Sequence, residues 1–244
     1  MFTLKAQNIN LAKIKAKDLG VIRPDGTICF RTESVAKKYA KNRVIQSLKT
    51  ESPFERAIMY KKNVVLAEFN GQADSMSISL SSEDAYNAVF VHSHTGGRFN
   101  PLSLPDFMAQ ILCNFREMIA YTAFGEFGSL KRMTKSLSKN RRLKLGKEVA
   151  EDGFYHLSKL FPEKQRLDAE CIMQYRHSYP EFQDKIYAQF GQQIEKSCPV
   201  RLAMYNREAY RLSKEGVIGR ALDEFFTNHA HEFGYKYFTN MPKD

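Results

Sequence analysis

The feature that most restricts how this chain can fold is an apolar strand running almost directly into a helix. AVFVHSH, residues 88–94, alternates apolar residues and ends in two histidines, and after Pro101 the stretch SLPDFMAQILCNFREMIAYT carries Phe107, Ile111, Leu112, Phe115 and Ile119 at helical spacing. Three further β-rich runs precede it: ERAIMYK, NVVLAEF and SMSISL. Lys-Asn, Asn-Gly and Ser-Ser-Glu-Asp turn segments separate the runs. The alternation from Tyr121 to Met133 returns one or two strands to the same sheet. The expected fold class is therefore α/β, a mixed β-sheet flanked by helices.

Around this centre, residues 50–133, the chain divides into two further regions. In residues 1–49, Pro24-Asp25-Gly26 between Val21-Ile22 and Ile28 predicts a hairpin, and Val35, Tyr39, Val44, Ile45 and Leu48 predict a helix over 32–48. Residues 134–244 are rich in helix formers and broken by Pro162, Pro180 and Pro199, which predicts a mostly α-helical C-terminal extension. Phe225, Phe226, Tyr235 and Tyr237 there read as core residues.

With 43% hydrophobic and 26% charged residues the chain belongs with ordinary globular proteins rather than disordered ones. No apolar run reaches the roughly 18 residues of a membrane span, and MFTLKAQNINLAKIKAKDLG has no signal-peptide core, so a cytoplasmic location is expected and no membrane partner. Cys29, Cys113, Cys171 and Cys198 are widely spaced, which suggests buried free thiols rather than a disulfide framework or a thiolate metal site. The formal charge is +10, and much of the excess lies in 131–147, where eight Lys or Arg residues occur with no acid. That segment suits nucleic-acid phosphates or an acidic protein surface, although a solvated helix or loop has the same composition and no aromatic residue is interleaved within it.

The chemistry concentrates in VFVHSHTGGRFNPLSLPD, residues 89–106. Side chains alternate across a strand, so His92 and His94 emerge on one face. Gly96 and Gly97 permit a sharp return, and Ser103-Leu104-Pro105-Asp106 starts the next helix with a carboxylate in its first turn, facing the strand end. Two imidazoles and a carboxylate, with one position left open, form the ligand set of a catalytic zinc.

The order and spacing of these residues resemble the JAMM (JAB/MPN) zinc metalloprotease motif: an upstream Glu, then His-x-His, then Ser-x-x-Asp. The resemblance covers about residues 50–130; Thr95 stands where the family usually has proline. It implies a JAB/MPN-like (cytidine-deaminase-like) fold and hydrolysis of a peptide or isopeptide bond in a protein substrate, with removal of ubiquitin or a ubiquitin-like modifier from lysine as one candidate reaction. It also implies Zn2+ on His92, His94 and Asp106, with Ser103 donating to the oxyanion of the tetrahedral intermediate. Glu55 would be the general base, moving a proton from the attacking water to the leaving amine. Glu68, on the following strand, is the other candidate; Glu55 is preferred because it heads the first strand, as in the family.

Each motif has a plainer reading. Ser103-x-x-Asp106 is also a capping box, and the second pair, His229 and His231, lies in a helical-looking stretch where residues two apart diverge by about 200° and cannot share an ion. A metallo-β-lactamase site wants Asp-His soon after its pair, where Thr95-Gly96-Gly97 stands, and a zinc deaminase wants His-x-Glu and CxxC, which are absent. The competing function is a non-catalytic module on the same fold that binds protein or nucleic acid through its helical or basic region.

Overall fold

A computed structural model describes residues 20–50, 52–71, 82–95, 102–160, 211–212 and 214–242. The expected hairpin is β1 (Val21–Ile22) and β2 (Ile28–Cys29), turned at Gly26, whose φ of 83° a side chain would resist. Helix α1 (Glu33–Ser47) begins where Thr32 accepts a hydrogen bond from the Val35 N–H. Strands β3 (Arg56–Lys61) and β4 (Val64–Asn70) follow; SMSISL lies outside the described residues. Next come the short helix α2 (Ser82–Ala85), β5 (Val89–His94), α3 (Leu104–Cys113), β6 (Glu117–Thr122) and β7 (Phe127–Arg132). The described C-terminal elements are α4 (Lys139–Ser158), α5 (Val217–His229) and β8 (Tyr235–Thr239).

The eight strands make one mixed sheet in the order β1-β2-β4-β3-β5-β6-β7-β8. Only β5 and β6 run parallel, as a connection through α3 demands; the other neighbours are antiparallel. Helix α3 ends sooner than its apolar spacing predicts. Asn114 adopts the left-handed conformation with φ 58° and terminates it, so Phe115 falls in the connection and Ile119 in β6. Residues 107, 111, 115 and 119 repeat every four positions whether or not the helix continues, and the αL stop was the deciding local signal. β8 is a strand that a helical reading of this region does not contain; it pairs with β7 from Tyr235↔Arg132 to Thr239↔Gly128.

Helices cover the two sheet faces unequally. α1 lies on one, sinking Ala36, Ala40 and Val44 against Ile58, Tyr60, Val65, Val89, Val91, Ile119 and Tyr121. Small residues on that stripe let the helix approach closely. The other face carries Ala57, Met59, Phe90, Met118, Ala120 and Leu130 under α3, α4 and α5, with Phe107, Phe225, Phe226 and Tyr235 at its centre. Burying one side chain such as Phe107 contributes about 1.5–3 kcal/mol. Because β3 and β5 are covered on both sides, they read as near-continuous apolar runs, and His92 and His94 interrupt the larger core at its edge. Cys29 and Cys113 are free thiols but only half-buried, short of the full burial expected; Cys171 and Cys198 lie outside the described residues. Among the described residues no helix is long and apolar enough to cross a membrane.

Candidate metal centre

Strand alternation sets the site. Ala57 pairs with His92, and Ala57 belongs to the core under α3, so His92 and His94 face α3. Ser93, between them, points the other way, where its Oγ accepts the Arg56 N–H at 2.9 Å and meets Ser47 Oγ at 3.3 Å.

Asp106 arrives from the first turn of α3. The capping box is formed in full: the Ser103 N–H and hydroxyl donate to Asp106 Oδ2 at 2.7 and 2.6 Å, and the Asp106 N–H donates to Ser103 Oγ at 3.3 Å. The structural and the functional readings of Ser-x-x-Asp therefore coincide. The bonds that cap the start of the helix also hold one carboxylate oxygen, leaving Oδ1 turned to His92. The Ser103 hydroxyl hydrogen is engaged with Asp106, so donating it to an oxyanion requires breaking that bond.

The donor atoms converge. His92 Nε2 lies 3.1 Å from Asp106 Oδ1, His94 Nε2 lies 3.3 Å from Asp106 Oδ2, and the two Nε2 atoms are 3.0 Å apart. A neutral imidazole nitrogen without hydrogen offers a lone pair, so this approach requires a shared proton or a cation between the rings. A tetrahedral ion with bonds of about 2.0–2.1 Å has ligand-to-ligand edges of about 3.3 Å; the two imidazole nitrogens and either carboxylate oxygen approach that spacing, and one donor atom from each residue lies within 4.8 Å of the others. The three residues could thus hold a metal ion. No other group of His, Cys, Asp or Glu among the described residues converges in this way.

Electrostatics favour the charged carboxylate. Burial alone would push the Asp106 carboxyl up, but the two imidazoles and their hydrogen bonds hold it well below the usual carboxylate range. His92 is deepest, 5% exposed beside the Phe90 ring, with ring centroids 5.6 Å apart; Phe90 in turn stacks on Phe115. Its Nδ1 is buried with no hydrogen-bond partner among the described residues, so the outer-shell acceptor that usually orients a ligating imidazole is not supplied there.

The sheet separates the two glutamates. Ile58 pairs with Glu68, placing Glu68 on the α1 face, where it meets Arg43 at 2.7 Å and Arg56 at 3.3 Å. It lies across the sheet from the histidines. Glu55 precedes β3, and a Gly71 N–H to Glu55 carbonyl bond of 2.8 Å extends the β3–β4 ladder to it. Continuing the β3–β5 register two residues beyond Ala57↔His92 sets Glu55 opposite His94 and on the same face.

Two residues not singled out from the sequence sit at this strand end. The parallel register places Thr122 beside His94, and the Thr122 hydroxyl donates to the buried Glu126 carboxylate at 3.1 Å. Only strand pairing could have found them. The second histidine pair is dispersed: His229 closes α5 and bonds Glu232 at 3.1 Å, and His231 is exposed in the turn beyond. Gly96 and Gly97 lie outside the described residues.

Comparison with protein-family models, curated proteins and solved structures gave no match to this chain.

Proposed function

We propose that this chain is a zinc-dependent hydrolase of the JAMM (JAB/MPN) kind, with a JAB/MPN-like core, that cleaves a peptide or isopeptide bond in a protein substrate. The observation that carries the proposal is the meeting of His92, His94 and Asp106 within 3.0–3.3 Å, the carboxylate held there by its own helix cap. Among the described residues no lysine or arginine is interposed among these donors, which suits a site that holds a cation. Glu55, continued by register onto the same face, supports the assignment of a general base.

In this reading His92, His94 and Asp106 hold the ion. A zinc ion bound there would supply Lewis acidity, polarising a carbonyl and lowering the pKa of its bound water to about 7. Glu55 accepts the proton of the attacking water at its carboxylate and returns it to the departing amine nitrogen, so that the C–N bond breaks to neutral products. Ser103, released from Asp106, donates to the carbonyl oxygen as negative charge develops there. Phe90 and Phe115 keep water from the inner side of His92 and sharpen these interactions.

The test is incubation of zinc-loaded wild-type, Glu55→Gln and Asp106→Ala proteins with a panel of ubiquitin-like fusions and isopeptide-linked chains. Metal-dependent cleavage is expected from wild type alone, with Glu55→Gln retaining its zinc. Full activity in both variants would overturn the mechanism. Zinc at 100 times its Kd should stabilise the fold by about 2.7 kcal/mol, raising Tm by about 5–10 °C, and no shift would remove the site.

A further inference from the structure

We propose that the α1 face of β7 and β8, with the lysines of α1 beside it, is a platform for single-stranded nucleic acid, independent of the metal centre on the opposite face. α1 packs over β3, β5 and β6 and leaves the outer part of the sheet uncovered by it. Register places Lys131 opposite Lys236 and Ser129 opposite Phe238, all on this face, and Phe127, two residues before Ser129, lies diagonal to Phe238. Lys131 and Lys236 are exposed, and Phe238 is 42% exposed, an unusual position for a large ring on a regular strand.

Cations lie over rings along this face, the Phe238 ring exposed, Phe127 half-buried and Tyr121 buried beneath Lys41. Lys236 Nζ lies 4.9 Å from the Phe238 ring centre, and Lys41 Nζ, from α1, lies 5.4 Å from that of Tyr121, whose ring centroid is 5.9 Å from Phe127. Lys37 adds a fourth ammonium, 3.3 Å from Glu117. Glu117 also accepts from Ser129 at 2.9 Å, and among the described residues it is the one carboxylate that pairs with these lysines; the neighbouring Arg116–Glu33 pair neutralises itself. Four lysines therefore face one described acid. The basic helix behaves differently, because Arg141 and Lys144 reach Glu148 at 4.0 and 3.7 Å and Lys147 reaches Glu151 at 3.6 Å.

Single strands match this surface on two counts. Phosphates meet the lysines, and unpaired bases present π-faces to Phe238 and Phe127, a stack worth about 1–3 kcal/mol per base. A duplex conceals its base faces, and an acidic peptide satisfies the ammonium groups without using the rings.

Fluorescence anisotropy with a labelled oligothymidylate, an oligouridylate and a duplex of equal length decides the matter. Both single strands should bind more tightly than the duplex, with affinity falling steeply from roughly 50 to 200 mM salt. Lys131→Glu with Lys236→Glu should weaken binding about tenfold or more, and Phe238→Ala about fivefold or more, with Tm and zinc content unchanged. Three results would overturn the proposal: no binding at low salt, equal affinity for the duplex, or loss confined to Lys139→Glu and Arg141→Glu, which assigns binding to α4. Anionic vesicles or polyglutamate competing as well as oligonucleotide, with Phe238→Ala neutral, would equally reject it in favour of a general anion surface.

Discussion

Two polar clusters lie on opposite faces of the same three strands, separated by the single-residue alternation of β3, β4 and β5. On the α1 face Glu68 meets Arg43 at 2.7 Å and Arg56 at 3.3 Å, and Arg56 donates to Asn70 at 3.0 Å, so opposite charges answer one another, with only the Arg43 Nε lacking a partner among the described residues. On the α3 face His92, His94 and Asp106 bring two imidazoles and a carboxylate together, all of them groups that can offer an electron pair to a metal ion. Ion-pair clusters of the first kind hold a fold in register, whereas converging imidazoles and a carboxylate are a metal site's half of a bond. Burial alone does not distinguish them, since Arg56 and His92 are equally hidden at 5% exposure.

The sharpest way to break this contrast is to remove each cluster's carboxylate. Asp106→Ala should abolish hydrolysis and lower zinc affinity by more than the roughly 10–100-fold that losing an outer-shell partner costs, while the lost cap destabilises the apoprotein by only about 1 kcal/mol. Glu68→Ala should do the reverse, costing about 3 kcal/mol through two uncompensated arginines with zinc stoichiometry intact. Calorimetric unfolding and metal content measure both; zinc loss in Glu68→Ala would end the distinction.

Alkaline titration tests whether the two faces are equally well sealed. Burial, reinforced by Glu117, pushes the Tyr121 hydroxyl on the α1 face up to about 12, and burial does the same for Tyr235 on the other face, against the pull of Arg132 and Arg142. Each folded value exceeds the unfolded value of about 10, so the stability it contributes is fully present below pH 10 and lost as pH rises through 12. Tm should fall across that window by an amount reflecting about 2 kcal/mol per tyrosine, and Tyr121→Phe or Tyr235→Phe should each remove its share. A flat profile would mean both hydroxyls reach water.

The smallest effect sharpens the picture of Asp106. Ser103→Ala removes the hydroxyl that both caps α3 and holds the carboxylate, and should cost about 1 kcal/mol of stability together with about tenfold in zinc affinity. Lost stability with unchanged affinity would show that the cap and the ligand act separately.

Much of the local architecture was legible in the chain. The turn at Pro24-Asp25-Gly26, the Thr32 and Ser103 caps and the shared face of His92 and His94 follow from φ/ψ preferences and from periods of two and 3.6, which a strand or helix obeys wherever it is placed. Other matters rested on pairing between distant segments, which no local period encodes. Strand register sent Glu68 to the α1 face and continued Glu55 towards His94, and it brought Thr122 to the site and β8 to the edge of the sheet. The basic run 131–147 looked like one unit, yet Arg132 is buried against Asn87 and Asn114, Arg142 caps the Leu112 carbonyl and Lys131 joins the open sheet face. Sequence alone determined which side chains share a face of their own element, because that depends only on backbone geometry. Tertiary structure decided what each face meets, because a register shift of one residue exchanges every partner while leaving the local pattern unchanged.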